Sequence, residues 1–371
     1  MPGRQGGPVG HDDGADPSRH LEPEVPVPVP GAPLRSLGFL TMGLFDPADP
    51  RPGHEATLRM IERGEELGFD SAWVRHRHVQ HGISSPVAVL AAASQRTSRI
   101  ALGTAVTPLG WENPLRLAED WATLDVLSGG RFHGGFSVGP PMQWDAVRDA
   151  LYPDTADVED FGYGRVERLL RCLRGERVSQ FEGTRGIEVF SARVEPHSPG
   201  LPARLWYGAA SARSAAWAGE HGLNLLMSSV VRAEPDDAAP DFGAIQAGHV
   251  QAYRDARAAA GLSGTGRISQ GLVVIPTDGA TADQRERYQA YADARLPRTR
   301  EPQGPGGLLF APDLVGPAED IAARLHAHPG FRLVDEVAFA LPFTFAPADY
   351  DQIITDIATR LGPALGWRPG G

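Results

Sequence analysis

The stretch Ile100-Ala-Leu-Gly-Thr-Ala-Val-Thr-Pro108, continued by Asn113-Pro-Leu-Arg-Leu-Ala-Glu-Asp120 and Leu127-Ser-Gly-Gly-Arg-Phe-His-Gly-Gly-Phe-Ser-Val-Gly139, decides the fold. It holds a strand, a polar-apolar loop, a helix and a second strand in one unbroken run, which is the βαβ unit of a parallel sheet.

Working outward from that unit, the same alternation recurs. Short apolar runs that predict strands lie at 36–42, 70–74, 100–104, 132–137, 204–208, 224–228, 269–275 and 336–341. Helical periodicity falls between them at 54–67, 86–95, 114–127, 164–173, 212–221, 242–260, 281–296 with 318–326, and 347–361. Eight strands each followed by a helix predict an α/β fold, a (β/α)₈ TIM barrel. A doubly wound open sheet is the other arrangement of such elements, yet no Gly-x-Gly-x-x-Gly follows any strand. Two insertions interrupt the rhythm. Residues 177–195 carry β-branched and aromatic runs parted by Gly183 and Gly186, which predicts a hairpin before the fifth strand. Residues 296–315, between strands seven and eight, are rich in proline and glycine and are expected to form a long loop of the kind that serves as a lid. Residues 1–33 hold eight prolines and read as a disordered arm, leaving 34–371 as the barrel domain.

Composition narrows the chemistry. The chain has 371 residues, 42% of them apolar, and no apolar run of the ~18–20 residues that cross a bilayer. No membrane association is expected. The N-terminus shows no basic segment followed by an apolar one, so the expected location is cytoplasmic. A single cysteine, Cys172, excludes a disulfide framework and any multi-cysteine metal site. A net charge of −11 argues against a nucleic-acid partner. All 35 basic residues are arginine, so Schiff-base chemistry, lysine-anchored pyridoxal phosphate and a Walker phosphate loop are excluded.

Barrel enzymes react at the C-terminal ends of their strands. The second strand ends in Trp73-Val-Arg-His-Arg-His-Val-Gln-His81, the densest titratable cluster of the chain. A His-x-His pair raises a metal site, but the ends of strands five, six and eight offer neither histidine nor carboxylate, so no metal is expected and the cluster is read as facing an anionic cofactor or substrate. Gly208-Ala-Ala-Ser-Ala-Arg-Ser214 follows strand five and opens a helix. It is read either as an ordinary serine cap or as a phosphate site made by free backbone N–H groups, the helix dipole, two hydroxyls and the Arg213 guanidinium. Small side chains at Gly103, Thr104, Ala105 and Val106 leave room for a flat ring, and Trp111, Glu112 and Asn113 follow in the loop beside them.

The motifs Glu66-Leu-Gly-Phe-Asp-Ser-Ala-Trp73, Leu102-Gly-Thr-Ala-Val106, Asn113-Pro-x-Arg-x-Ala-Glu-Asp120, Leu124-Asp-x-Leu-Ser-Gly-Gly-Arg131 and Ser211-Ala-x-Ser-x-x-Trp-Ala-x-Glu-x-Gly222 together resemble the bacterial luciferase-like flavin-dependent monooxygenases, over about residues 36–362. The resemblance implies reduced FMN delivered by a separate reductase, a flavin C4a-(hydro)peroxide formed with O₂, a small-molecule organic substrate and a homodimer. Carried over residue by residue, it places the phosphate on Ser211, Ser214, the Ala210 backbone and Arg165, a non-proline cis peptide at Ala105–Val106 beside Thr104 under the isoalloxazine, and Phe39 beneath the ring. In the luciferases strand two ends in Glu-His-His with the first histidine as base. Here His76, Arg77 and His78 stand at those places, and an arginine cannot accept a proton at neutral pH, so the base falls to His76 or His78 or Arg77 acts by electrostatics. The same barrel serves deazaflavin F420-dependent oxidoreductases, which makes hydride transfer without O₂ the alternative chemistry, and a non-catalytic flavin-binding protein the third reading.

Overall fold

A computed structural model describes residues 34–233, 240–304 and 306–370; the expected N-terminal arm lies outside them. Eight parallel strands close on themselves: β1 (Ser36–Thr41), β2 (Ser71–Val74), β3 (Ala101–Thr104), β4 (Phe132–Ser137), β5 (Leu205–Ala209), β6 (Asn224–Met227), β7 (Ile268–Gln270) and β8 (Glu336–Ala340). Neighbours pair in order around the ring, and Leu102 beside Phe132 joins β3 to β4. The helices that cover them are α1 (Arg51–Glu66), α2 (Pro86–Ser94), α3 (Pro114–Leu127), α4 (Tyr163–Leu173), α5 (Ala212–Glu220), α6 (Phe242–Ala259), α7 (Ala282–Arg295) and α8 (Pro347–Asp356), with a further helix at Ala318–Ala327. This is the TIM barrel that the alternation predicts.

Strand alternation divides the core into two layers. Outward side chains such as Phe39, Phe69, Val74 and Phe136 pack under the helices, while Trp73, Trp206, Leu226 and Ala338 fill the lumen. Trp73 and Trp206 meet edge to face at 5.6 Å, each donating its indole N–H internally, to Ser71 Oγ at 2.9 Å and His133 Nδ1 at 3.0 Å. Gly103 is obligatory beside this pair, since a Cβ there would lie 2.2 Å from the Trp73 ring. Glu336 seals the opposite end of the lumen, bound by Arg267 through two 2.8 Å bonds and by Arg35. The floor is therefore solid, and chemistry is confined to the upper mouth.

Two expectations change in detail. The seventh strand is shorter than 269–275: regular pairing ends at Gln270, Val273 keeps one bridge to Ala340 of β8, and Val274–Pro276 pairs instead with Leu314–Gly316. The hairpin before β5 is present, with Gly183–Arg185 against Glu188–Phe190. The 296–315 segment is not structureless. It carries Leu308–Phe310 paired antiparallel to Val230–Arg232, and the buried carboxylate of Asp313 binds Arg295 across its base. Backbone groups that a bare loop would leave to water are met by these two pairings.

Candidate active site at the barrel mouth

The mouth is built from the loops after β2, β3, β5 and β8. After β3 the Ala105–Val106 peptide is cis, as the resemblance implies, and both residues pack on the lumen cluster together with Leu40. Val106 rests on Gly208 of β5, where a Cβ would come within 2.9 Å of its Cγ1. Glycine at 208 thus keeps an apolar shelf open between β3 and β5. Thr104 belongs to the wall rather than to the shelf: it is fully buried, and its hydroxyl donates to Gly135 O at 2.8 Å while accepting from Gly135 N at 2.9 Å. Its one donor and one of its two lone pairs are thus used inside the sheet, which makes Thr104 a structural part of the wall and leaves it no hydrogen to donate to a cofactor.

Phe39 is a correction. Its ring lies under α1, where a Cβ on Gly64 would approach it to 2.4 Å, and it meets Phe69 edge to face at 5.1 Å. It points away from the lumen; Leu40 is the β1 residue that faces inward.

Arg165 is the second correction. The guanidinium is 3% exposed, and its donors go to Asp160 O (2.7 Å), Glu112 O (2.7 Å), Leu109 O (3.4 Å), the Tyr152 hydroxyl (2.9 Å) and the Glu159 carboxylate. It lies over the rings of Tyr152 and Phe161 as well. This is a strut that ties the 109–112 loop to the start of α4, not an arm held out to a phosphate.

At the end of β5, Ser211 caps α5 in a capping box: its hydroxyl accepts from Ser214 N at 3.3 Å, and Ser214 Oγ accepts from Ser211 N at 3.2 Å. The two hydroxyls also bond one another at 3.0 Å. Ala210 contributes its carbonyl to Arg232 N at 2.8 Å. The N–H groups of Ala212 and Arg213 are those that helix geometry leaves without a partner inside the helix. Arg213 and Arg232 stand exposed beside them. An anion at this end meets two amides, the helix dipole and two guanidiniums.

The loop after β2 meets the loop after β3. His76 is 2% exposed and donates from Nε2 to Ser84 O at 3.0 Å, which leaves Nδ1 as an unpartnered lone pair. His78 stacks on Trp111 at 4.2 Å and lies 4.5 Å from the His76 ring, with its own Nε2 unpartnered. Glu112 Oε1 sits 3.8 Å from His76 Nε2. Burial, with His78 and Arg77 adding to it, pushes His76 down to about 3. Burial also lowers His78 and raises Glu112 to about 7, helped by Asp120. With those values no pH has both His76 and Glu112 charged, so the contact is not an ion pair. Among the described residues, ligand atoms of His76, His78 and Glu112 lie within 4.8 Å of one another. The His76 Nε2 proton is committed to Ser84, so Nδ1 is the nitrogen of that ring with a free lone pair. Arg77 is half-buried, with Nε unpartnered and burial lowering its pKa.

Arg295, Arg298 and Asp313, which also reach this mouth, carry no signal in the sequence, whereas Arg75 stands in the strand-two cluster expected to face an anionic cofactor or substrate. The parity of β2 was the available signal for Arg75, two residues beyond the inward-facing Trp73.

The luciferase-like monooxygenase family model matches residues 37–329, and the chain belongs to that family. It is 32% identical over 182 residues to an F420-dependent glucose-6-phosphate dehydrogenase of Intrasporangium calvum, covering 45% of this chain and 52% of that protein. The chain spans about half or less of the length of the curated relatives it matches. In fold it is similar to monooxygenase RslO1 of Streptomyces bottropensis (TM-score 0.66, 23% identity, 88% of this chain and 99% of that one). It also resembles the oxygenating component of 3,6-diketocamphane monooxygenase of Pseudomonas putida in complex with FMN (TM-score 0.63, 16% identity, 88% and 98%).

Proposed function

We propose that this chain is a reduced-FMN-dependent monooxygenase of a small organic substrate, supplied with reduced flavin by a separate reductase and working as a homodimer. The observation that carries the reading is one juxtaposition at the mouth: an apolar shelf at Ala105 and Val106, the open N-terminus of α5 next to it, and two uncharged imidazoles with Glu112 on the other side. Shelf, anion-binding helix end and proton-exchanging groups match the flat ring, the phosphate and the oxygen chemistry of a flavin. When bound, reduced flavin supplies the electrons that activate O₂.

The protein's own groups then divide the remaining tasks. Ala212 and Arg213 amides hold the phosphate end, assisted by Arg213 and Arg232, while Arg165 keeps the 109–112 loop in place through its carbonyls. His76 Nδ1 and His78 Nε2 accept hydrogen bonds as neutral rings. Glu112, raised to about 7, is the group best matched to giving or taking a proton near neutrality, a task the resemblance alone assigns to a histidine. The 296–315 segment borders the same mouth and helps to exclude water.

Anaerobic titration with reduced FMN and with reduced F420, followed by air, tests the reading. Tight FMN binding and a transient absorbance distinct from both reduced and oxidised flavin are expected. Tight binding of F420 with no reaction in air would instead identify a hydride-transfer enzyme, a chemistry that the Intrasporangium relative carries in its name. Binding of FMN with no altered oxygen reactivity would leave a flavin-binding protein without turnover.

A further inference from the structure

On the side of the mouth formed by β8, β1 and β2, four arginines gather around one carboxylate, that of Asp313. Arg75 lies over the Phe343 ring at 5.2 Å, and Arg295 lies over the same ring at 5.7 Å and over Tyr291 at 4.6 Å. Arg298 lies over Phe310 at 4.3 Å. Two guanidiniums therefore share one phenyl ring, and a third is linked to them through Asp313, which both Arg295 and Arg298 approach. Asp313, 2% exposed, is engaged by Arg295 and is 4.0 Å from Arg298. Among the described residues no carboxylate lies within ion-pair distance of Arg75 or Arg77. Among the described residues the side-chain hydrogen-bond partner of Arg75 is Met42 Sδ, 3.7 Å from Nη1. The Nε groups of Arg77 and Arg298 are buried without a partner.

Half-buried cations without a counter-ion are costly to hold, and a folded chain normally supplies a carboxylate to each. Here Arg75 and Arg77 go without, and Arg295 and Arg298 share the single carboxylate of Asp313. Arg75 and Arg298 are instead laid over aromatic rings, which leaves N–H groups for a planar oxyanion. The apolar shelf of Leu40, Ala105 and Val106 lies within the same mouth. The α5 N-terminus follows β5, which stands across the ring from β1, so this cation cluster is not the place proposed for the flavin phosphate.

We propose that Arg75 and Arg298, with Arg77 and the Asp313-paired Arg295 beside them, form a receptor for the carboxylate of an organic acid whose apolar body lies against Leu40 and Phe343, next to the shelf that takes the flavin ring. The proposal deepens the monooxygenase reading by giving the class of its substrate, and rests on that reading only in calling the ligand a substrate. Partial burial and the neighbouring Arg77 lower Arg75 to about 10, which is the mark of a cation awaiting a partner.

Calorimetric titration of the full chain with two matched pairs, benzoate against benzamide and octanoate against octanamide, tests it. The acids should bind at least tenfold more tightly than the amides. Arg75→Gln and Arg298→Gln should each weaken the acids about tenfold, the loss of one charge-assisted contact. Arg324→Gln, on an exposed helix face, is the matched control, and thermal melts show that each variant is folded. FMN affinity of the same variants separates this claim from the flavin claim. Unchanged FMN binding with weakened acid binding supports a distinct substrate site. Equal binding of acid and amide, or no saturable binding of either acid, overturns the proposal whatever FMN does. Loss of FMN affinity in Arg298→Gln with benzoate unaffected assigns these arginines to the cofactor and overturns it too. Inorganic phosphate competing as well as benzoate would overturn the apolar half.

Discussion

Arg165 and Arg75 are both arginines drawn out of bulk water, and the fold treats them in opposite ways. Arg165 is surrounded by acceptors from residues 109, 112, 152, 159 and 160, so its charge is neutralised and its donors are committed. Arg75 has a thioether and a phenyl ring. A saturated guanidinium is a structural part; an unsaturated one at a barrel mouth is a receptor. The difference is what the proposed carboxylate receptor rests on, and it takes Arg165 out of the ligand-binding role that the resemblance implies.

The contrast breaks most visibly if Arg165 is removed. Arg165→Ala leaves Glu159 and several carbonyls without their cation, and loss of one partner of a buried pair costs about 3–5 kcal/mol. Denaturant unfolding should show that loss, while the folded variant keeps its FMN affinity. Full stability with FMN binding abolished would restore Arg165 to the phosphate.

A smaller effect is expected at Asp313. Asp313→Asn removes the carboxylate that Arg295 binds and leaves the base of the 296–312 segment unpinned, at a cost of about 2–3 kcal/mol. Limited proteolysis should then cut within that segment faster than in the parent protein. An unchanged cleavage pattern would mean that the pairing of Leu308–Phe310 with Val230–Arg232 holds the segment alone.

Glu112 offers a pH test. Its folded-state value of about 7 lies above the ordinary 4.5, so the stability held by the protonated form is complete below about 4.5 and is lost as pH rises through 7. Glu112→Gln should therefore match the parent near pH 4 and exceed it by about 3 kcal/mol at pH 8. If the difference between the two proteins does not change with pH, the carboxyl is not perturbed. The smallest effect is expected at the other arginine: Arg75→Met should be neutral or stabilising by about 1 kcal/mol, because it removes a cation that is desolvated without a partner. A loss of several kcal/mol there would erase the distinction from Arg165.

Much of the fold is legible in the chain because each barrel strand is a short apolar run and each helix has its own period. Orientation within a strand is less legible. Leu37-Gly-Phe-Leu40 is apolar on both faces, as strands buried between lumen and helices are, so nothing in the pattern says that Leu40 rather than Phe39 faces inward. The α5 cap is local, requiring only Ser211 and Ser214, and it can be read directly. Arg165 cannot, because its acceptors come from segments as much as 56 residues away. Arg295, Arg298 and Phe343 are likewise joined to Arg75 only by closure of the ring between β8, β1 and β2. Residues whose partners are sequence neighbours announce themselves, and those whose partners arrive through barrel closure do not.

A crystal of this protein soaked with FMN places the cofactor against every group in dispute. The account predicts density for the phosphate at the Ala212 and Arg213 amides, the ring on Ala105 and Val106, and no contact from Arg165. Phosphate density against Arg165, or against Arg75 and Arg298, would contradict it.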